Sequence, residues 1–347
     1  MSRIRYVMAG CGGFGSATLK SMVRHPDFEL VALVDPLPEK VTAVRKLIGR
    51  PEVPGFDRLE DALARTKPEL VFSFSPVSAH YDNCRVALEA GCNVAVAKPF
   101  TDTVEEAWKL VDLCRATKRF ISVHQSSRFG HGAMIRRWIE EGLIGKPAFG
   151  NFYTYRDRMQ GIGGYRLTES WPVINATSIH WIDAMRYWCA DDFVRVSLRG
   201  VDAPWNPYRD PGVVTGWFEM KGGFVFGFFQ SFISRVAVGE GHHPYEHYMI
   251  QGDRAALVWS GPWGRGPVQL LDPAESAPKT LTVPANSYPD EVLQYLDTLR
   301  DSVRSGGPVF CPAEDNIKSL AAIKAAELSA QRGGAPVEVA RLLDRGN

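Results

Sequence analysis

The chain lacks what would mark it for a membrane, a nucleic acid or an oxidising compartment. Across its 347 residues no apolar run is long enough to span a bilayer. Lys and Arg number 40 against 39 Asp and Glu, a net charge of +1, so there is no basic field to draw a polyanion. Six cysteines (Cys11, Cys84, Cys92, Cys114, Cys189 and Cys311) are scattered without C-x-x-C spacing. That argues against dithiol and common zinc motifs and fits free thiols in a reducing compartment. Met1-Ser2-Arg3-Ile4 enters an apolar strand with no signal-peptide core, so a cytoplasmic location is expected. The chain carries no internal repeat and no low-complexity tract.

What is present begins with the first strand. Ile4-Arg5-Tyr6-Val7-Met8-Ala9 runs into Gly10-Cys11-Gly12-Gly13-Phe14-Gly15, and a helix follows. Val31-Ala32-Leu33-Val34 then ends in Asp35, about twenty residues after that turn. A dinucleotide needs this order. Gly10 allows the tight turn, Gly12 lets the backbone close on a pyrophosphate, and Gly15 lets the helix pack on the strand. The pyrophosphate sits on the helix N-terminus, where free N–H groups and the dipole favour an anion. A glycine-rich turn in a non-binding unit would leave Asp35 unexplained, since a strand-end carboxylate there suits ribose hydroxyls. The same carboxylate repels a 2′-phosphate, and Pro36 follows it where an arginine would accommodate one, so NAD is expected over NADP.

Length implies two domains. In the first third strands alternate with helices: Leu70–Ser75, a helix over Ala79–Ala90 stopped by Gly91, Asn93–Ala97, a helix opened by the capping box Thr103-Val104-Glu105-Glu106, and Phe120–Val123. That pattern implies an α/β, doubly wound parallel sheet over residues 1–124. Beyond it an amphipathic helix, Ala133–Glu141, gives way to aromatic extended segments over 148–155, 194–200, 214–220, 224–232, 248–251 and 256–260. Gly222-Gly223 and Gly252-Asp253 read as turns between them. Residues 125–347 are therefore an α+β domain with a mostly antiparallel sheet, closed by two helices, the last over Ala313–Gln331.

These elements resemble the Gfo/Idh/MocA family (glucose–fructose oxidoreductase, inositol dehydrogenase) along essentially the whole chain. The resemblance is carried by Gly10–Gly15, Asp35-Pro36, Ser75-Pro76 with His80, Ala87-Leu88-Glu89-Ala90-Gly91, Lys98-Pro99-Phe100, Arg128-Phe129, His180-Trp181-Ile182-Asp183 and the late Ala313-Glu314-Asp315 helix. It implies a Rossmann domain that binds NAD(P) and a second domain whose large open sheet covers the active site and makes a homodimer or homotetramer. The implied activity is oxidation or reduction of a carbinol on a sugar, inositol or related polyol. The cofactor residues implied are Gly10, Gly12, Gly13, Phe14, Gly15, Asp35, Ser75, Pro76, His80 and Lys98.

Hydride transfer at a carbinol requires removal of the hydroxyl proton as hydride leaves. Lys98 ends a parallel strand, at the crevice where such sheets bind ligands, and its ammonium suits a substrate oxygen with alkoxide character. A surface lysine at a strand end is the plainer alternative. His180 suits proton transfer at neutral pH, while a core histidine held by Asp183, three residues on, is the competing structural reading. The family's matching histidine is catalytic, which favours the first, and Lys98 and His180 are expected on opposite sides of one substrate oxygen. Two positions depart from the family pattern: Ala97 replaces a glutamate before Lys98, and Ala176 replaces an aspartate one helical turn before His180.

Tyr153, Tyr155, Arg156, Arg158, Tyr165, Arg166 and Trp171 fall between the first strand of the second domain and the His180 helix. Aromatic planes with guanidinium forks suit sugar rings and acids, but amphipathic aromatics are also ordinary core residues. Of these, Tyr155, Arg158, Arg166 and Trp171, with Asp183, are the candidate substrate contacts. Gly239-Glu240-Gly241-His242-His243-Pro244-Tyr245-Glu246-His247 invites a zinc reading, but a Gly/Pro-rich loop gives no rigid i,i+4 pair, and no metal is expected. Besides the dehydrogenase, two readings stay open. One is a redox-neutral elimination or glycoside cleavage that regenerates NAD each turnover. The other is a non-catalytic dinucleotide-binding regulator, which the loss of carboxylates at 97 and 176 favours.

Overall fold

The computed structural model describes residues 2–159, 167–235, 245–261, 265–283 and 288–345, with 288–290 given by their backbone alone. The chain divides into two compact units, one built mainly of Met1–Ser126 with Asn286–Leu320, the other of Ser127–Ala285 with Ala321–Gly346.

In the first unit β1 (Ile4–Ala9), β2 (Phe28–Val34), β3 (Gly55–Phe56), β4 (Leu70–Ser73), β5 (Asn93–Ala97) and β6 (Ile121–His124) form one sheet in the order 3-2-1-4-5-6. Every pairing is parallel. Helices α1 (Gly13–Met22), α2 (Pro38–Ile48), α3 (Leu59–Thr66), α4 (His80–Glu89) and α5 (Val104–Thr117) make the crossovers. Strands covered on both faces need apolar residues throughout, which is why β4 is buried along its whole length. Strand order reverses between β1 and β4, so the C-terminal ends of these strands form the ligand-binding edge. The capping box opens α5 as expected: Glu106 N–H donates to Thr103 Oγ1 at 3.1 Å and Thr103 N–H donates to Glu106 Oε2 at 3.2 Å.

The second unit begins with α6 (His131–Glu140), β7 (Pro147–Tyr155) and α7 (Ile179–Cys189). There follow β8 (Phe193–Val201), β9 (Val213–Met220), β10 (Val225–Ser231), β11 (Tyr245–Gly252), β12 (Ala256–Ser260), β13 (Val268–Leu271) and β14 (Lys279–Leu281). After α8 (Tyr288–Ser305) and α9 (Ala313–Gln331), β15 (Val337–Glu338) completes a nine-stranded sheet in the order 14-13-12-11-7-10-9-8-15, and α10 (Ala340–Leu343) follows. Its pairings are antiparallel except β7 with β10. Alternation along the strands points Phe152, Phe218, Phe226, Phe228 and Tyr248 to one buried face. There Trp181 of α7 stacks on Phe152 at 4.9 Å, and Trp188 meets Trp259 at 5.3 Å.

Helix α8 packs with the first unit: Tyr295 Oη donates to Ser122 Oγ of β6 at 3.0 Å. All six cysteines are free, and burial pushes Cys11, Cys114 and Cys189 up to about 12 and Cys92 up to about 11, which disfavours their thiolates at neutral pH. Among the described residues no helix is long and apolar enough to cross a membrane.

Candidate active site

The glycine turn joins β1 to α1, and its glycines separate into two kinds. Gly10 has φ +105°, and a Cβ there would lie 2.4 Å from the Phe74 carbonyl oxygen. A Cβ on Gly15 would lie 2.1 Å from the Gly10 carbonyl oxygen. The fold itself demands glycine at both. A Cβ on Gly12 or Gly13 would meet nothing within 4 Å. Protein packing does not explain those two glycines, but an anion resting on the backbone does. Gly12 is the N-cap of α1, no side chain caps the helix, and its first turn carries no acid, so the positive end of the dipole faces open space. The residues fit a dinucleotide pyrophosphate.

Asp35 ends β2 beside that turn and is buried. Its Oδ2 accepts from Cys11 N–H at 2.9 Å and its Oδ1 from Leu37 N–H at 3.1 Å. The carboxylate therefore ties the glycine turn to the end of β2, with lone pairs left over for a ribose. Phe14, 39% exposed, lies over Phe74 at 4.9 Å and His124 at 5.5 Å.

Ser75 and Pro76 follow β4. The Ser75 hydroxyl accepts from Asn83 Nδ2 at 3.1 Å, and Pro76 caps the short helical turn Val77–Ala79. His80 is buried at the start of α4, with Nε2 2.9 Å from the Ser75 carbonyl and Nδ1 2.9 Å from the Pro99 carbonyl. Burial lowers its pKa, and the two carbonyl contacts act in the opposite direction. The structure makes His80 a staple between the loops after β4 and β5, with both nitrogens directed at backbone, rather than a direct cofactor contact.

Lys98 directly follows β5, and the Lys98–Pro99 bond is cis. On the neighbouring strand His124 pairs with Ala97. His124 is buried against Phe14, Phe74 and Tyr295, the last at 4.7 Å. Burial lowers it to about 4, and the Lys98 ammonium acts in the same direction. Sequence reasoning passed over His124. The available signal was a histidine ending a parallel strand at the ligand-binding edge.

In the second unit His180 lies in the first turn of α7 and is partly exposed. The chain reaches it through a π-helical turn, Val173–Ser178. The expectation for residue 176 assumed α geometry throughout, whereas the segment that carries it is π-helical. Asn175 is spent elsewhere: Nδ2 donates to the Ser170 carbonyl at 2.9 Å and to Glu327 Oε2 at 3.2 Å, and Oδ1 accepts from Lys324 Nζ at 3.2 Å.

The described candidate substrate residues have the following surroundings. Asp183 is fully buried, with Oδ2 accepting from Arg128 Nε and Oδ1 from Arg128 Nη2, each at 2.7 Å. It secures α7 and is not a pocket residue. Tyr155 and Tyr153 project from the sheet face opposite Phe152, and Tyr155 meets Phe229 at 5.0 Å and Tyr245 at 6.1 Å. Trp171 is buried with φ +44°, its ring so close over Gly200 that a Cβ there would lie 2.7 Å away. Arg156 is buried in an ion pair with Glu246 at 2.5 Å, and Tyr248 Oη donates to the same carboxylate. The Arg158 backbone bonds Phe232 and Tyr208. Arg166, like Tyr165 and Gly239–Pro244, lies outside the described residues. Among the described residues no group of three or more His, Cys, Asp or Glu side chains stands ready to hold a metal ion.

A model of the oxidoreductase family with an NAD-binding Rossmann fold, Gfo/Idh/MocA, matches residues 4–125. The D-glucoside 3-dehydrogenase of Escherichia coli is 31% identical over 121 residues, which is 35% of this chain and 34% of that protein. The chain aligns with about a third of the length of this and several other curated relatives. An oxidoreductase from Agrobacterium radiobacter, solved in complex with NAD+, L-tartaric acid and magnesium, has the same fold: TM-score 0.86 at 19% identity, covering 99% of this chain and 100% of that one. A putative NADPH-dependent oxidoreductase from Desulfitobacterium hafniense superposes with TM-score 0.87 at 18% identity over the same shares.

Proposed function

We propose that the chain, whose residues 4–125 match the Gfo/Idh/MocA oxidoreductase model, is an NAD-dependent dehydrogenase of that family acting on a carbinol carbon of a sugar, inositol or related polyol, with Lys98 and His180 as its proton-transfer and substrate-oxygen groups. The observation that carries this reading is the glycine turn. Gly10 and Gly15 are glycine because protein atoms stand in the way, while Gly12 and Gly13 are glycine where none do. NAD, held by the glycine turn and Asp35, would supply the hydride acceptor or donor. The hydroxyl proton must leave as the carbon becomes a carbonyl, and His180 takes it. Lys98, at the C-terminal end of β5, holds the substrate oxygen as charge grows on it. Asp35 favours NAD, because a 2′-phosphate would lie against a carboxylate already fixed by two N–H donors.

The sugar class is supported by the relative's name, D-glucoside 3-dehydrogenase. A second copy of this chain is the proposed partner. The sheet face opposite α7 exposes Phe149, Tyr153, Val225 and Tyr245 at 52%, 38%, 39% and 44%, and apolar side chains gathered on one face suit an interaction surface. We place the protein in the cytoplasm.

The test is a polyol and sugar panel followed by the reduced-nicotinamide absorbance. Lys98→Met and His180→Ala should each lower turnover about a hundred- to ten-thousand-fold while NAD still binds. The double variant should be little worse, as groups acting together are not additive. Near-normal turnover by Lys98→Met would end the assignment. Ala97 and Ala176 favour a second reading, in which NAD serves only as a sensed ligand, and a redox-neutral reaction that recycles NAD within each turnover also stays open. Product formed without net reduction of NAD would support the redox-neutral reaction. NAD-dependent binding of a macromolecule without turnover would support the sensed ligand.

A further inference from the structure

The π-helical turn before α7 is held by a side chain that the proposed reaction does not use. Gln230 of β10 is fully buried. Its Nε2 donates to Thr177 Oγ1 at 2.6 Å, and its Oε1 accepts from Ser178 Oγ at 2.6 Å. The same two hydroxyls lie 3.3 and 2.9 Å from the Val173 carbonyl, four and five residues back. One placement of hydrogens satisfies the set: Gln230 donates to Thr177, Thr177 donates to Val173, and Ser178 donates to Gln230. With the amide reversed the pattern still closes, one hydroxyl donating to Gln230 and the other accepting from it. A primary amide supplies that pairing, whereas a carboxylate accepts only and a thioether donates nothing and accepts weakly.

The turn is anchored on either side as well. Upstream, Asn175 is bound to Lys324 and Glu327 of α9. Downstream, Asp183 is bound to Arg128. A turn with one residue more than an α turn, caught between two fixed points, stays wide only while something holds it wide. Relaxing it to α geometry shifts one residue across the junction and rotates one side about 100° against the other. That misfit falls on the first turn of α7, where His180 stands.

We propose that Gln230 is a positioning residue for His180: by bonding Thr177 and Ser178 together it keeps the Val173–Ser178 turn in its five-residue form and so fixes where the His180 imidazole points. The value of this to catalysis rests on the reading of His180 as the proton-transfer group, but the positioning itself does not.

The experiment therefore reads both. Histidine labelled at the ring carbons, with the His180 signal assigned by its loss in His180→Gln, is titrated by NMR in the wild type, Gln230→Met, Thr177→Val and Thr177→Ser. Gln230→Met should move the His180 signal and its titration midpoint and leave the affinity for NAD within about twofold, since the glycine turn belongs to the other unit. With a turned-over substrate, kcat should fall by about ten- to a hundredfold with little change in KM, the scale expected for a misplaced catalytic group. Thr177→Val should reproduce part of this, and Thr177→Ser, which keeps the hydroxyl, should restore wild-type behaviour. If Gln230→Met does not fold, Thr177→Val carries the same test. An unchanged His180 signal and midpoint in the folded variants overturns the proposal. If instead His180→Ala keeps full turnover, the catalytic reading of His180 fails, and the NMR result still decides the positioning.

Discussion

Asp183 and Arg128 form a two-point ion pair inside the second unit, Nε to Oδ2 and Nη2 to Oδ1, each at 2.7 Å. The pair joins the segment before α6 to the middle of α7, and Arg186 stands 4.0 Å from the same carboxylate. Asp183 is three residues from His180, which made it a candidate substrate contact. Burial decides otherwise, because a carboxylate with both oxygens turned to a buried guanidinium is holding the fold. Removing one partner of a buried pair leaves the other charge uncompensated, at about 3–5 kcal/mol. Asp183→Asn should therefore lower the unfolding midpoint in urea and the Tm markedly, and leave KM nearly unchanged in whatever fraction folds. A variant of wild-type stability with a raised KM would return Asp183 to the substrate.

The two kinds of glycine make a paired test of the cofactor site. Gly10→Ala and Gly15→Ala place a Cβ within 2.4 and 2.1 Å of backbone oxygens, so both should be strongly destabilised. Gly12→Ala places its Cβ in open space. It should leave Tm unchanged and weaken NAD by about tenfold or more, roughly 1.4 kcal/mol, because the methyl occupies the approach to the pyrophosphate. Calorimetry with NAD beside thermal unfolding separates these effects. Undiminished NAD affinity in Gly12→Ala would remove the pyrophosphate from that face.

Much of this was legible in the chain because it is local. Strand, glycine turn, helix, strand and acid in register specify a nucleotide-binding unit from hydrophobic period and glycine placement alone, and the capping box located α5. The parallel β7–β10 pair within an otherwise antiparallel sheet was not legible, since nothing in either strand encodes which neighbour it meets. The face of Tyr155 was not legible either: period-2 alternation says that Tyr153 and Tyr155 share a face opposite Phe152, but not which face α7 covers. The π turn escaped because its one-residue excess is held by Gln230, more than fifty residues further on. His80 and Asp183 read as functional from their motifs. Only partners distant in sequence, Pro99 for one and Arg128 for the other, show what they hold.

Asp35 is proposed as a ribose contact, and its bonds to Cys11 and Leu37 N–H also brace the glycine turn. Asp35→Ala removes the repulsion of a 2′-phosphate and should narrow the gap between NAD and NADP. It also removes two hydrogen bonds to an ionised group, each worth about 1.5–3 kcal/mol, so the turn should loosen and both dinucleotides should bind less tightly. Isothermal titration with each dinucleotide and a denaturation curve give the three numbers needed. A variant that keeps wild-type stability and NAD affinity would show that the carboxylate braces nothing.

His124 gives the protein an acid limb whose sign follows from its surroundings. The imidazole is buried among Phe14, Phe74 and Tyr295, and burial, with the Lys98 charge behind it, lowers it to about 4. In the unfolded chain the same ring titrates near 6.5. Above the unfolded value both states are neutral and the group costs nothing. As pH falls between the two values the unfolded chain takes up a proton that the folded protein refuses, so stability is lost across that window, by up to about 3 kcal/mol at its lower end. His124→Phe fills the same aromatic box without a titrating nitrogen. Urea unfolding of the two proteins, followed from about pH 8 down to about pH 4, should show curves that run parallel at the alkaline end and diverge below about 6.5, the variant losing less. His80, whose pKa is also lowered by burial, contributes to both curves and cancels in the difference. Curves that stay parallel throughout would mean that His124 takes its proton in the folded state, which requires water or an acceptor to reach the ring.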